Sequence, residues 1–292
     1  MSSQFGRTYR LNVGSLEIDG RQPVGSETMR IAFNISRSKT REPNIAEIRV
    51  WGLSRAHREG LAKLHAVRVR LEAGYADGFG VLFDGDLRTA YTTQEGAERI
   101  TTIKGGDGEV AIRSARTSRT FAAGTPIGVV IQELGKSLGV GPGNLSQFTG
   151  AELAGGSKTL RRSLTLHGAS AEELARVARS AGLEYSIQNS SLQILKSGRP
   201  SSTRQGPLLR ADSGLIGVPE IETVAKKEHG FAAGTRKVTG VALLRPDLIP
   251  GAPFRVESSG YNGNLVCVAT EHVGDTHSEE WYVKWTGRPY SK

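Results

Sequence analysis

Two histidines and two carboxylates stand within eight residues at His272-Val273-Gly274-Asp275-Thr276-His277-Ser278-Glu279. Imidazole and carboxylate together suit a divalent cation. The spacing speaks against it, because Gly274-Asp275 is a turn pair between apolar runs, and a turn does not bring two imidazoles onto one face. A polar hairpin turn is expected, and no metal ligand is assigned. Gly105-Gly106-Asp107-Gly108 has the glycine density of a phosphate-cradling loop. It lacks the following Lys-Ser/Thr and opens no apolar helix, so it is expected to be a strand turn. Asp84 and Asp86 supply the two carboxylates of a glycosidase, but two residues two apart on a strand share a face only locally. Cys267 lies in the apolar run Leu265–Ala269 and is expected to be a buried small hydrophobe. The other histidines, His57, His65, His167 and His229, are scattered, and no Gly-x-Ser-x-Gly elbow accompanies them. The pairs Arg161-Arg162 and Lys226-Lys227 read as solvated surface. No catalytic, metal or cofactor-binding residue follows from these patterns, which shifts weight from an enzyme to a structural or assembly role.

The elements that would carry such residues are mostly strands. Glycine numbers 37 in 292 residues, nearly double the usual share, which points to many turns. Period-two alternation runs through Tyr9, Leu11 and Val13, then Met29, Ile31, Phe33 and Ile35, then Ile48 and Val50, then Val67, Val69 and Leu71. Further strands are expected at Val81–Thr92, Arg99–Lys104, Glu220–Ala225, Lys237–Leu244, Pro253–Glu257, Leu265–His272 and Glu280–Thr286. Ser54 caps a helix over Arg55–Leu64. Thr125-Pro126 reads as an N-cap with proline in the first helical position, ahead of Ile127, Val130, Ile131, Leu134 and Leu138. Ser170 and Glu173 read as a capping box before Leu174, Val177 and Ala178. A hairpin is expected around Asn189-Ser190-Ser191, and 197–207 reads as a linker.

The formal net charge is +9, and 37% of residues are hydrophobic. Residues 1–125 carry a net +5, residues 126–210 a net +5 and residues 211–292 a net −1. A basic excess admits nucleic acid or acidic proteins as partners and does not choose between them. No window reaches the ~18 apolar residues of a spanning helix, so no membrane insertion is expected. The start MSSQFGRTYR has no apolar signal region, and a single cysteine fits a reducing compartment.

Four blocks of the chain resemble one family. They are Met29–Leu53 (a strand, a basic loop, Pro43-Asn44, then a strand ending Trp51-Gly52-Leu53), Val67–Leu87 with Ala73-Gly74-Tyr75 and Phe83-Asp84-Gly85, Ser170–Leu195, and Ser213–Trp281 with Leu243–Gly251. In this order they resemble the baseplate hub proteins of tailed bacteriophages and related phage-derived tail systems. Gly52 stands where the family pattern has Asn.

The resemblance implies a β-rich α+β fold: two tail-tube-like antiparallel β-barrel domains, at 1–115 and 201–292, flanking a smaller α/β domain at 116–200. It implies a homotrimer in which three copies of two tube-like domains form a pseudo-sixfold ring, reconciling a hexameric tail tube with a trimeric spike. The implied partners are the chain itself, a tail tube or distal tail protein, the spike and other baseplate proteins. DNA would pass through the lumen without specific binding. The implied place is the virion tail baseplate, assembled in the bacterial cytoplasm. The basic loop residues Arg37, Lys39 and Arg41 are expected to contact a neighbouring tail protein. Two other classes compete: a tail-associated cell-wall hydrolase, and a basic nucleic-acid-binding protein whose affinity would fall steeply with salt.

Overall fold

The computed structural model describes residues 6–21, 28–40, 42–65, 67–76, 78–145, 159–196, 199–201, 206–227 and 231–290. In chain order it holds β1 (Arg7–Val13), β2 (Leu16–Asp19), β3 (Ile31–Ser38), β4 (Ile45–Trp51), α1 (Arg55–Ala62), β5 (Arg68–Tyr75), β6 (Gly80–Glu95) and β7 (Glu98–Gly106). Then come α2 (Glu109–Ser114), β8 (Arg116–Phe121), α3 (Ile127–Leu138), β9 (Leu164–Ala169), α4 (Ser170–Ser180), β10 (Leu183–Gln188) and β11 (Ser191–Lys196). The last stretch gives β12 (Leu208–Leu209), β13 (Leu215–Thr223), β14 (Arg236–Leu243), β15 (Pro253–Glu257), β16 (Asn262–Asp275) and β17 (Trp281–Pro289). The chain is β-rich with few helices. None of its described helices is long and apolar enough to cross a membrane.

One sheet dominates, in the order β13-β14-β17-β16-β3-β4-β7-β6-β5-β1-β2, with β15 on β16 and β12 on β15. Every pair is antiparallel except β12 with β15. The first and last β-rich stretches of the chain are therefore hydrogen-bonded to each other through β3 and β16, with Glu271 opposite Ser36. Two long strands turn the sheet over its own core. β6 pairs with β5 through Gly80–Asp86 and with β7 through Asp86–Glu95, with a register shift at Leu87/Thr89. β16 pairs with β15 through Asn262–Val266 and with β3 through Ala269–Asp275, and its register on β17 shifts at Cys267/Ala269. An extra residue of this kind bends a strand and increases its twist.

Buried apolar side chains fall into three main groups. Tyr9, Leu11, Phe33, Ile48, Leu71 and Phe83 lie in the first, Val130, Leu134, Leu174, Val177 and Ile194 in the second, and Leu209, Val238, Phe254, Leu265 and Val283 in the third. β17 serves two of them: Trp281 meets Phe33 edge to face at 5.3 Å, and Trp285 meets Phe254 likewise at 5.2 Å. Such pairs add about 0.5–1.5 kcal/mol beyond the area they bury. Both tryptophans need room. A Cβ on Gly240 would lie 2.4 Å from the Trp285 ring, and one on Gly274 would lie 2.3 Å from the Phe33 ring that packs on Trp281.

The helix starts differ from expectation at two of three places. The Ser54 hydroxyl does cap α1, accepting from the His57 N–H at 3.2 Å. Thr125 does not cap α3, because Pro126 is itself the cap residue with extended backbone, and the Thr125 hydroxyl turns back to the Ala122 carbonyl at 2.8 Å. Ser170 is the first residue of α4 rather than its cap, and Ala169 takes that place. The Ser170 N–H is held by the Ala115 carbonyl at 3.1 Å, and Glu173 pairs with Arg176. Tertiary contacts here outweigh the local capping preference. The hairpin expected at 189–191 is the β10–β11 turn, with Asn189 at φ 51° and Ser190 at φ 54°, as a two-residue turn between twisted strands requires.

Candidate functional site

The alternation in the sequence gives the sheet two unlike faces. Along β3, Ile31, Phe33 and Ile35 are buried while Asn34 and Ser36 are exposed. Residues directly opposite one another share a face, so the registers carry this division across six strands, β14, β17, β16, β3, β4 and β7, while the flanking β13 and the Arg88–Glu95 half of β6 are largely exposed on both faces. The open face carries Glu222 and Lys237, then Thr239, Thr286 and Lys284, then Glu271, Asn34, Glu47 and Lys104, then Arg49 and Glu95. A shallow groove of about 860 Å³ crosses this face between β13 and β4, with Ile216 and Val218 on one rim and Ile45 on the other.

Four ion pairs lie on the open face. Glu222 meets Lys237 at 3.4 Å, Glu271 meets Lys284 at 3.1 Å, Glu47 meets Lys104 at 3.0 Å and Arg49 meets Glu95 at 3.1 Å. Glu271 also accepts from the Asn34 amide at 2.8 Å. That bond, with Lys284, holds the Glu271 carboxyl below its usual range, and the hydrogen bond to Glu271 raises the Lys284 ammonium. Exposed pairs contribute little to stability.

The other face carries a buried polar junction between the sheet and the β10–β11 hairpin. Asp107 is its centre and is almost wholly enclosed. Its carboxylate accepts from the backbone N–H of Asn189 at 2.6 Å, from that of Ser190 at 2.7 Å and from the Asn44 amide at 3.1 Å. Burial raises the Asp107 carboxyl while these donors pull it down. The Asn44 amide also donates to the Ile187 carbonyl at 3.0 Å and to Gln188 Oε1 at 3.2 Å. Gln188 in turn donates to the Ser38 carbonyl at 2.7 Å.

Arg37 and Lys39 do not reach outward: they are only 2% and 5% exposed. They continue the inward-facing series Ile31, Phe33, Ile35, and so they meet the β10–β11 hairpin. Arg37 donates to the Leu82 carbonyl and to Gln188 Oε1, both at 3.3 Å, and Lys39 pairs with Glu184 at 2.9 Å. Burial lowers the Arg37 guanidinium. Arg41, like His229, lies outside the described residues. The turn at 272–279 spreads its groups apart: His272 is fully buried with Nε2 at 3.2 Å from the Arg245 carbonyl oxygen, Asp275 is held by Arg30 at 2.8 Å, and His277 lies beside Thr276. Burial and the nearby Arg37 charge push His272 down to about 3. Among the described residues no group of three or more His, Cys, Asp or Glu is placed to hold a metal. Gly105-Gly106-Asp107-Gly108 presents a carboxylate bound to the β10–β11 turn. Asp84 is engaged by Arg68 and Arg70. Cys267 is buried, and burial pushes its thiol up to about 12. The sequence reading missed Asn44, Asp107 and Gln188; the Asn189-Ser190 turn was the visible half of that junction.

No family model and no curated protein matches this chain. Solved structures do. A 43 kDa tail protein of prophage MuSo2 from Shewanella oneidensis has a TM-score of 0.64 at 8% identity, covering 97% of this chain and 96% of that one. A tail protein from Neisseria meningitidis MC58 has a TM-score of 0.61 at 10% identity, covering 97% of each chain. An E. coli component of the type VI secretion system, described as structurally similar to the T4 bacteriophage tail proteins gp27 and gp5, has a TM-score of 0.58 at 10% identity over 97% of this chain and 77% of that one. At these identities the likeness speaks for the fold: nearly end to end, this chain has the fold of phage tail proteins.

Proposed function

We propose that the chain is a structural hub of a phage or phage-like tail, a homotrimer whose ring joins the hexameric tail tube to the trimeric spike and lets DNA pass. The observation that carries this reading is an eight-strand antiparallel run whose central strands bury one face and leave the other open, polar and crossed by four ion pairs. Such a sheet is shaped to line a channel. Three copies would supply 24 strands, and at ~4.8 Å per strand the wall would close with a backbone diameter of ~37 Å. A polyanion moving along it would meet paired charges and so little retention.

In this reading 1–115 and 201–292 are two tube-like domains. The likeness of β6 and β16 supports this, since each is a long strand serving two partners around a register shift. Residues 116–200 then sit at the periphery. Exposed Arg113, Arg116, Arg161, Arg162 and Arg179 lie in or beside this segment, so the basic excess is offered to acidic neighbours away from the wall. The role is non-enzymatic, and its place is the virion tail baseplate.

Light scattering with negative-stain imaging of the same peak tests the proposal. A six-lobed ring of three chains is the expected result. A monomer that binds DNA tightly and salt-dependently would sink it in favour of a nucleic-acid binder, and clearing of cell walls in a zymogram would favour the hydrolase.

A further inference from the structure

On the buried face of the sheet, three enclosed polar atoms have no hydrogen-bond partner among the described residues: Arg37 Nε on β3, and Thr270 Oγ1 and His272 Nδ1 on β16. Thr270 stands directly opposite Arg37, and His272 lies two residues further along the same face, opposite Ile35. Opposed Cβ atoms lie about 4.5–5.5 Å apart and alternate residues of a strand about 6.6 Å apart, so the three side chains share one small volume. The Arg37 charge is felt at His272. Buried polar groups are seldom left unbonded. The bonds these residues do make fix what each free atom can accept. Arg37 directs its terminal nitrogens at the Leu82 carbonyl and Gln188 Oε1, so Nε–H is a donor in want of an acceptor. His272 is neutral and meets the Arg245 carbonyl through Nε2. Its proton is therefore on Nε2, and Nδ1 is a lone pair in want of a donor. The Thr270 hydroxyl can play either part.

We propose that Arg37, Thr270 and His272 form a binding site for one buried water molecule, which joins β3 to β16 through their side chains. The water accepts from Arg37 Nε–H, donates to His272 Nδ1 and bonds the Thr270 hydroxyl, the three bonds usual for an enclosed water. An anion would satisfy Nε–H and the hydroxyl but would face the Nδ1 lone pair. A cation would face the guanidinium. Charge agrees, because Arg37 and Lys39 already have Asp107 and Glu184 beside them, and no further ion is called for. The place gives the water its consequence. The β3–β16 ladder joins the first and last stretches of the chain, and Arg37 also holds Gln188 of the β10–β11 hairpin. One water thus sits where three parts of the fold meet. This inference stands apart from the ring reading, since it concerns the single chain.

Thr270→Val tests the site by the sign of its effect, because valine keeps the shape of threonine and lacks only the hydroxyl. A hydroxyl bonded to an enclosed water loses a hydrogen bond on this change, so the unfolding constant from urea titration should rise about three- to tenfold. A hydroxyl that bonds nothing is a buried polar group better removed, so the constant should then fall. A constant unchanged or lowered overturns the proposal. A crystal structure of the full chain, grown in bromide, identifies what lies between the three residues. The expected result is one density peak within about 2.6–3.3 Å of Arg37 Nε, Thr270 Oγ1 and His272 Nδ1, without anomalous bromide signal. A bromide signal there means an anion site, and direct bonds among the three side chains mean no ligand at all. Either result overturns the proposal.

Discussion

Replacing Asp107 by Asn keeps its size and exchanges one accepting oxygen for an NH₂ group. In the native junction both carboxylate oxygens accept: Oδ1 from the Ser190 N–H, and Oδ2 from the Asn189 N–H and the Asn44 amide. Asparagine satisfies only one side, and its NH₂ then faces a backbone N–H. An orphaned buried donor costs about 1–3 kcal/mol, and a hydrogen bond to a charged group contributes about 1.5–3 kcal/mol. Against this stands the relief of burying one charge less, since burial already raises the Asp107 carboxyl. The balance is a loss of about 2–3 kcal/mol. It should fall on the docking of the β10–β11 hairpin, because Asn189 and Ser190 are its turn. Urea unfolding should therefore split into two transitions, and the amides of Asn189 and Ser190 should exchange faster than those of β3 or β17. Asp107→Asn with a single unfolding transition, within about 0.5 kcal/mol of the parent, would refute the junction, since that is the scale of an unengaged surface change.

His272, neutral in the fold at a value near 3, contributes stability that is complete above about pH 6.5 and fades as pH falls toward 3. From pH 7 to pH 5 the loss from this group should be about 2 kcal/mol, and His272→Leu should flatten that part of the urea-midpoint profile. An unchanged slope would mean that His272 is not the group responsible. Gly274→Ala sets a methyl against the Phe33 ring and should cost about 1–3 kcal/mol, read as a lower melting temperature with unchanged strand content by circular dichroism. Reversing Glu47 and Glu271 to Lys leaves Lys104 and Lys284 unmatched on the open face. The fold should persist, but DNA retention should appear at low salt and vanish at high salt, as filter binding at two salt concentrations would show.

The strands were legible because half-buried sheets write their two faces into the chain with period two. Pro253–Glu257 appears in the structure with the bounds its pattern suggested, and β3, β14, β16 and β17 fall where alternation placed them. What alternation does not encode is the partner. β3 and β16 pair across more than 230 residues, and any antiparallel strand of matching face offers a similar ladder, so joining the first and last stretches in one sheet is a tertiary decision. Arg37 and Lys39 are the more instructive case, because their charge suggests contact with a neighbouring tail protein while the period they sit in already points elsewhere. Ile31, Phe33 and Ile35 face inward, and two residues further along the same face lie positions 37 and 39. Alternation therefore predicted cations pointing into the protein. A buried guanidinium is tolerated only where acceptors await it, so that pattern implied a second unit packed on the end of β3. The acceptors are Leu82 and Gln188, and the Lys39 partner is Glu184. A slip of β3 by one residue would put Ile31, Phe33 and Ile35 into water and strand both cations. The two charges thus tie the register of the sheet to the placement of the β10–β11 hairpin.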